Sequence, residues 1–476
     1  MSLINNDSST ERLADWLRAE VNRRSPGDRL PSSRSLVETH KVSPVTVSRA
    51  LAVLTGEGLL VTRPGAGAFV AERTVVSGAA DLSWQAVALG ERPVNAEGMS
   101  VLADDHEADD LISLASGYLH SSLRPEQALS RALNHAARSP RAWDRPPTAG
   151  LASLRAWFAR SSAPGACDTS DVIITPGGQA AITASLRALL RPGEPLLAES
   201  PTYPGALAAA RLAGLRLLPV PVDEHGVIPS LLAEAFARTG ARVFYCQPTY
   251  HNPTGTVLSP ARRAEVLAVA EAARAFIIED DACRWLSHGP RPPRPLLADD
   301  HDGRVVYLTS LTKVASPSLR IGAIIARGPV AARLHAIRVI DDLFVARPLQ
   351  EAALDLLTRP AWERHRRALG RELGQRASVL ARELHSLLPA ARFRPPAGGM
   401  HLWARLPAGM DDIDVARAAR QAGVIVMPGQ PFFPAEPPAA HLRLTFSAAS
   451  SETELRTGVQ RLSGSSPRLS APAYRP

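Results

Sequence analysis

A serine, a lysine and an arginine lie close together in the segment SLTKVASPSLRIG, residues 310–322. Ser310 precedes Lys313 by three positions, and Arg320 follows it by seven. A lysine amine can form a Schiff base with an aldehyde, whereas an arginine guanidinium stays protonated. A hydroxyl and a guanidinium suit a phosphate group that is attached to the same aldehyde. The segment therefore predicts a site for a phosphorylated aldehyde.

Lysine is rare in this chain of 476 residues, which has 54 lysines and arginines in total. Lys41 and Lys313 are the two lysines, and the remaining residues of this group are arginines. The reactivity of an amine gives a chemical reason to keep a lysine at position 313. The rarity alone is a weak argument, because a single lysine is more often a solvated surface residue, as Lys41 could be.

Two polar residues upstream of Lys313 have types that suit a cofactor ring. Asp280 lies at the end of FIIEDD, an apolar run typical of a strand, and Asn252 lies in QPTYHNPTG. Pyridoxal 5'-phosphate (PLP) is a phosphorylated aldehyde that needs a carboxylate against its ring nitrogen. Asp280 could supply this carboxylate, and Asn252 could donate to the ring hydroxyl oxygen. The two residues therefore make PLP a specific candidate.

Two turns add further candidate contacts. In TPGGQAAITASLRALL a glycine-rich turn runs into a helix, so the N–H groups of Gly178 and Gln179 could hold a phosphate. In ESPTYPGA, Tyr203 follows a predicted strand and could stack on a ring. Taken singly, these residues also have ordinary structural explanations. These are a helix cap for Asp280, a turn for Asn252, a strand-to-helix turn at Gly177 and Gly178, and a surface ion pair for Arg320.

The elements that must position these residues alternate between helical patterns and short apolar runs over residues 111–463. This alternation is typical of an α/β domain with a mainly parallel sheet. Residues 75–110 lack sustained periodicity and predict a linker that could contain one short helix. Residues 464–476 are rich in serine and proline and predict a disordered tail. The runs that predict strands are DVIITP, PLLAES, RVFYCQP, FIIED and VVYLTS.

Residues 1–74 predict three short helices and a hairpin, which together could bind DNA or another protein. The first helix is predicted over 11–24 and the second over 33–39. Ser43 suits the N-cap of the third helix, which places Pro44 at its first position. The strands LLVTR and AFVAE flank the turn PGAG. In the third helix the predicted buried residues are Val47, Ala50, Leu51 and Leu54, and those nearer the exposed side are Val45, Thr46, Ser48 and Arg49.

The motifs PGDRLPSSRSL, VSPVTVSRALAVLTGEGLL and RPGAGAFV resemble the winged helix-turn-helix of the GntR superfamily in order and spacing. The resemblance implies that the helix over 43–57 enters the major groove of double-stranded operator DNA and that the glycine-rich wing lies near the minor groove. Pro44 stands where many GntR proteins have an arginine. The DNA-binding candidates are Arg34, Ser43, Thr46, Ser48, Arg49, Gly65 and Gly67.

The motifs TPGGQ, PTYPG, NPTG, EDD, SLTK, SLRIG and HLRLTFS resemble the fold-type I aminotransferase family over residues 111–463. The resemblance implies that Lys313 forms the Schiff base with PLP and that Arg443 binds an amino acid's α-carboxylate. Aminotransferases often have a tyrosine two or three residues after the aspartate, where this chain has Ala282 and Cys283. This departure weakens the case for transamination more than that for PLP binding. The predicted cofactor contacts are Gly178, Gln179, Tyr203, Asn252, Asp280, Ser310, Lys313 and Arg320.

The combination of the two domains resembles the MocR/GabR group of bacterial transcription regulators. This resemblance implies a dimeric regulator whose large domain senses PLP itself or an amino-acid-type effector. Two alternatives remain open: a working PLP-dependent aminotransferase with a DNA-binding appendage, and a structural dimerisation domain with a vestigial site. Steady turnover of an amino acid with a 2-oxo acid would favour the first alternative.

Composition limits the remaining classes of function. The net charge of +8 allows a polyanionic partner without requiring one. The N-terminal segment has no signal-peptide pattern, and no apolar run is long enough to span a membrane. Three cysteines without metal-ligand spacing fit reduced thiols. These features predict a cytoplasmic protein that binds neither a metal nor a membrane.

Overall fold

The computed structural model describes residues 4–72, 81–90, 111–289 and 291–465. The chain divides into two compact units, Met1–Pro93 and Val94–Pro476. Most of the predicted linker and tail lies outside the described residues. The described part of the linker contains a short helix, as the sequence allowed, and the last helix of the chain includes Gly464 and Ser465 of the predicted tail.

The first unit contains the three helices and the hairpin that the sequence predicts. Leu17, Leu36, Val47 and Leu54 are fully buried and form the core between the helices. The hairpin strands are antiparallel. The elements of this unit are α1 (Ile4–Asn22), α2 (Ser33–His40), α3 (Pro44–Gly56), β1 (Leu60–Arg63), β2 (Gly67–Val70) and α4 (Ser83–Leu89).

The second unit is built around a large mixed sheet and a smaller antiparallel sheet. All five of the predicted strands are present. The strands are β3 (Ile112–Ser113), β4 (Val172–Thr175), β5 (Pro195–Ser200), β6 (Arg216–Asp223), β7 (Gly226–Val227), β8 (Val243–Cys246), β9 (Phe276–Asp280), β10 (Val305–Ser310), β11 (Gly322–Ile325), β12 (Arg392–Phe393), β13 (His401–Arg405), β14 (Val424–Ile425), β15 (Met427–Pro428) and β16 (His441–Thr445).

Helices connect most of these strands and cover the large sheet. They are α5 (Glu126–Ala137), α6 (Ala152–Ser162), α7 (Gly178–Leu189), α8 (Pro204–Leu212), α9 (Pro229–Thr239), α10 (Pro260–Ala272), α11 (Pro329–Asp342), α12 (Arg347–Thr358), α13 (Pro360–Leu387), α14 (Asp412–Gln421) and α15 (Glu452–Ser465).

The large sheet has the strand order β4-β11-β10-β9-β8-β5-β6-β7. The strands from β10 to β6 are parallel in this order, whereas β11 is antiparallel to both of its neighbours. Strands β4, β8, β10 and β11 are buried at every residue, as expected for a sheet that is covered on both faces. The fold is therefore of the predicted α/β class with a mainly parallel sheet.

This topology places the carboxyl ends of β4, β5, β8, β9 and β10 at one edge of the large sheet. In open α/β sheets this edge is the usual place for a ligand. Most of the predicted cofactor residues lie at these strand ends or just after them. The smaller sheet, with the order β12-β13-β16-β15, carries Arg443 on β16. No helix in the described part of the chain is long and apolar enough to cross a membrane.

Candidate functional site

Lys313 lies three residues beyond the end of β10. Its Nζ donates a 2.7 Å hydrogen bond to the carbonyl oxygen of Gly117 and lies 4.2 Å from the centre of the Tyr118 ring. Loss of hydration at this position lowers the pKa of Lys313 to about 8, and the positive charge of Arg443 acts in the same direction. A larger neutral fraction of the amine is therefore present near neutral pH than for a surface lysine.

Asp280 ends β9 and is buried. Its Oδ2 accepts hydrogen bonds from the hydroxyl of Tyr245 at 2.6 Å and from Nε2 of Gln247 at 2.9 Å. Burial raises the pKa of Asp280 above its usual range, while these two donors oppose that rise. The carboxylate is held in a fixed orientation at the sheet edge. Neither donor was predicted, although both lie within the run RVFYCQP that was predicted as a strand.

The Arg320 guanidinium and Ser310 lie beside the turn that joins β4 to α7. Gly177 has φ +94°, a backbone conformation that favours glycine. A Cβ atom there would lie 2.7 Å from Nη2 of Arg320, so a larger residue would displace the guanidinium. The same Nη2 donates a 2.6 Å hydrogen bond to the carbonyl of Pro176. A Cβ at Gly178, the first residue of α7, would lie 3.7 Å from Cβ of Ser310. The structure thus brings together a helix N-terminus, a hydroxyl and a guanidinium, which is a suitable donor set for a phosphate.

Tyr203 and Gln179 form a second connected pair. The Tyr203 hydroxyl donates a 3.2 Å hydrogen bond to Oε1 of Gln179, whose Nε2 donates to the carbonyl of Gly205 at 2.8 Å. A Cβ at Gly205 would overlap the Tyr203 ring at 2.4 Å, so the ring packs directly on the glycine backbone. The Gln179 side chain therefore orients Tyr203, a contact that the sequence did not predict.

Arg443 is the largest fully buried side chain of the structure, at 1% exposure. Its Nη1 donates to Oδ1 of Asn252 at 3.3 Å, and Nη2 donates to the carbonyl of Ala115. The guanidinium lies 5.2 Å from the centre of the Phe432 ring. Burial lowers its pKa to about 10. Its Nε has no hydrogen-bond partner, and Arg443 forms no ion pair with any residue that the structure describes.

Cys283 occupies one of the two positions at which aminotransferases often have a tyrosine. The thiol is buried, and burial raises its pKa to about 12. It lies close enough to Lys313 for each group to influence the pKa of the other. Ala282, at the second position, has no polar side chain. The structure therefore has no phenol on this turn.

In the first unit, Ser48 and Arg49 are exposed on α3, as predicted, but Thr46 is not. Thr46 is 4% exposed, which corrects the prediction that it lies nearer the exposed side of this helix. It lies one turn before Ala50 and shares the buried face of the helix. Its backbone N–H donates to Oγ of Ser43 at 3.1 Å, and the two hydroxyls are 2.8 Å apart. Ser43 is thus the N-cap of α3, as predicted.

The remaining DNA-binding candidates lie on the surface of the first unit. Arg34 is exposed and pairs with Glu38 at 3.1 Å. The wing glycines Gly65 and Gly67 both have positive φ, at +75° and +108°. A Cβ at Gly67 would lie 3.3 Å from Nε of Arg29, an arginine that was not among the predicted residues. The wing therefore has a basic side chain beside its turn.

Two family models match separate parts of the chain. Residues 9–70 match the gntR family of bacterial regulatory proteins, and residues 109–462 match the aminotransferase class I and II family. The HTH-type transcriptional regulator YisV of Bacillus subtilis is 29% identical over 93% of this chain and 92% of its own length. The HTH-type transcriptional regulator YdcR of Escherichia coli is 30% identical over 89% of this chain and 91% of its own.

Among solved structures, the chain resembles LysN, an α-aminoadipate aminotransferase of Thermus thermophilus in complex with N-(5'-phosphopyridoxyl)-L-leucine. The TM-score is 0.73 at 28% identity, covering 78% of this chain and 95% of that chain. Fold and site therefore define an α/β domain of the fold-type I aminotransferase class joined to a winged helix-turn-helix.

The chain belongs to the aminotransferase class I and II family and, with its gntR-family domain, is a DNA-binding transcription regulator of the MocR type. The cofactor that this family implies is PLP. The residues present fit it: Gly177 leaves room beside Arg320, Asp280 is a buried carboxylate with fixed donors, and Lys313 is an amine with a lowered pKa.

Proposed function

We propose that this protein regulates transcription by sensing an amino-acid-type effector at the PLP site around Lys313. The observation that carries this proposal is Arg443, a buried guanidinium without an acidic partner among the described residues. A buried charge that lacks a counter-ion is costly, and a ligand carboxylate would offset that cost through paired hydrogen bonds. Arg443 donates to Asn252 and is close enough to Lys313 for its charge to act on the amine, so a bound carboxylate would lie near the cofactor.

The residues around the cleft would hold PLP in complementary ways. When bound, PLP supplies an aldehyde that reacts with amines and a protonated ring that withdraws electrons. Lys313 would attach the aldehyde through its neutral amine, and Asp280 would hold the proton on the ring nitrogen. Ser310 and Arg320, with the backbone N–H of Gly178, would bind the phosphate. Tyr203 and Asn252 would contact the ring.

The DNA-binding part of the proposal rests on the exposed residues of α3 and on the wing. Arg49 can form paired hydrogen bonds with a guanine edge, and Ser48 can reach a base or a phosphate. Arg34 and the wing glycines would contact the backbone or the minor groove. We also propose that the protein acts as a homodimer in the cytoplasm, where its operator is. A dimer would match an operator with two half-sites.

The effector can change DNA binding only if it binds two states of the protein with different affinities. An amino acid would do so through its carboxylate at Arg443 and its amine at the cofactor. PLP itself would be the effector if its attachment to Lys313 alone changed operator affinity. Titration of the PLP-free protein separates these two cases.

The test is an absorbance titration of the full-length protein, first with PLP and then with the common amino acids, alongside a DNA-binding assay on the gene's own upstream region. We expect one amino acid to change both the spectrum of bound PLP and the operator affinity. Arg443→Gln should retain PLP and lose this response, and Lys313→Ala should lose covalent attachment after borohydride reduction. An undiminished amino-acid response of the Arg443 variant would contradict the proposal.

A second candidate function is a working aminotransferase, which the lowered pKa of Lys313 favours because a neutral amine can accept a proton near neutral pH. The buried thiol of Cys283, where aminotransferases often have a tyrosine, argues against efficient turnover. Steady conversion of an amino acid and a 2-oxo acid would favour the enzyme. A purified protein that stays colourless after PLP is added would instead indicate a structural dimerisation domain.

A further inference from the structure

A large open cavity lies in the second unit between α6, the segment after β9 and α13. Its volume is about 820 Å³. Six arginines line it, together with a single acidic residue, Glu363. The cavity is separate from the cleft around Lys313 and from every residue assigned to PLP or DNA. The six arginines are Arg284, Arg291, Arg294, Arg366, Arg367 and Arg371.

Half of these arginines have no counter-ion among the residues that the structure describes. Further along α13 an arginine pairs with a carboxylate one turn away, as Arg376 does with Glu372 at 2.8 Å. Arg291, Arg367 and Arg371 form no ion pair within the described ranges of the chain. A cluster of like charges without partners raises the free energy of the fold unless an anion binds there.

Arg366 provides an independent sign of an unfilled site. Its nearest carboxylate is Glu363, at the long distance of 3.6 Å. Burial lowers the pKa of Arg366, and the charges of Arg291 and Arg367 lower it further. Its guanidinium stacks 4.8 Å from the centre of the Trp285 ring. Arg366 Nε and Trp285 Nε1 are both buried and have no hydrogen-bond partner in the described part of the chain.

We propose that this cavity binds a small free anion that carries two or more phosphate groups. Guanidinium groups match phosphate oxygens in paired geometry, and several unpaired ones favour a ligand of high negative charge. The volume lies in the range of small-ligand sites. Two wall residues have neighbours in the chain that approach Lys313. Trp285 lies two residues after Cys283, and His365, which precedes the wall residue Arg366, has its Nε2 3.3 Å from the carbonyl oxygen of Val314. This site is additional to the proposed PLP and effector site.

The test is calorimetry of the full-length, PLP-loaded protein with inorganic tripolyphosphate as the probe, at constant ionic strength. We expect saturable binding that becomes about tenfold weaker or worse in the double variant Arg367→Gln/Arg371→Gln. Both arginines are exposed, so the fold should be retained. The matched control is Arg364→Gln/Arg382→Gln, which removes two exposed arginines from the same helix outside the cavity and should change affinity by less than about twofold. Arg291→Gln removes a charge from the facing wall and should also weaken binding.

Three results would overturn the proposal. The first is the absence of saturable binding at millimolar tripolyphosphate. The second is equal weakening by the cavity and control variants, which would mean only general attraction by positive charge. The third is a dependence of duplex DNA binding on Arg367 and Arg371 while tripolyphosphate does not bind, which would assign the cavity to the DNA backbone. Because the readout is binding at this cavity, failure of the PLP proposal would not mimic any of these results.

Discussion

The hydroxyl of Tyr245 donates a 2.6 Å hydrogen bond to Oδ2 of Asp280, and both side chains are buried. The neighbouring carboxylate has an equivalent arrangement, in which the hydroxyl of Tyr307 donates to Oδ2 of Asp281 at 3.0 Å. Two buried phenols thus hold two successive carboxylates. Only Asp280 lies among the predicted cofactor residues. Removing the hydroxyl of Tyr245 and, separately, that of Tyr307 therefore distinguishes an effect on PLP binding from an effect on stability.

Tyr245→Phe should weaken PLP binding. The loss of a donor to the charged form raises the pKa of Asp280 further, and a protonated Asp280 can no longer pair with a protonated ring nitrogen. The free energy of unfolding should also fall by about 1–3 kcal/mol, the usual cost of an unsatisfied buried group. PLP titration and chemical denaturation measure the two effects. Tyr307→Phe should lower stability alone, and equal loss of PLP affinity in both variants would refute the assignment of Asp280.

The rate at which PLP attaches covalently to the PLP-free protein should rise with pH and level off above about pH 8. Attachment requires the neutral amine, whose fraction increases through the pKa of Lys313, about 8 here against 10.5 for an ordinary lysine. The measurement is the rate of appearance of the bound-PLP absorbance as a function of pH. Arg443→Gln removes a positive charge that lowers this pKa, so the midpoint should move to higher pH. A midpoint near 10.5 would contradict the site described above.

The fold was predictable where local pattern decides the structure. Five apolar runs were predicted as strands, and all five are strands of the large sheet. Three strands of this sheet, β6, β7 and β11, were not among the predicted runs. Strand β6 contains Pro219 and Pro221, which are unusual within a strand. This strand lies near the sheet edge, where it pairs with β5 along its length and with only two residues of β7. Position in the sheet, which the sequence does not show locally, therefore accounts for the two prolines of β6.

The candidate site was predictable only in its side chains of distinctive chemistry. Lys313 and Asp280 stand out by type and spacing, whereas the Gly117 carbonyl that accepts from Lys313 lies 196 residues away in the chain and has no side-chain signal. The prediction that Thr46 lies nearer the exposed side of α3 was wrong. Its helical phase, one turn before the buried Ala50, decides its position instead.

Ser43→Ala should lower the stability of the first unit by about 1 kcal/mol, since it removes the cap of α3. Ser43→Asp should retain most of the stability, because a carboxylate also accepts from the helix N-terminus. Thermal unfolding measured by circular dichroism tests both variants. If Ser43→Ala left stability unchanged but weakened operator binding, Ser43 would be a DNA contact and not mainly a cap.

Arg49→Ala should weaken operator binding by about 1–3 kcal/mol at fixed salt if Arg49 contacts a base edge. Arg49 is exposed on α3 and forms no ion pair with a described residue, so its removal should not disturb the fold. Arg23→Ala removes one exposed charge just after the end of α1 and serves as the matched control. Binding should be measured with the operator and with an unrelated duplex at several salt concentrations. A base contact predicts a loss of affinity for the operator only. A phosphate contact predicts equal losses of affinity for both duplexes, and the slope of log affinity against log salt concentration should then become shallower by about 1. An unchanged dissociation constant would remove Arg49 from the interface.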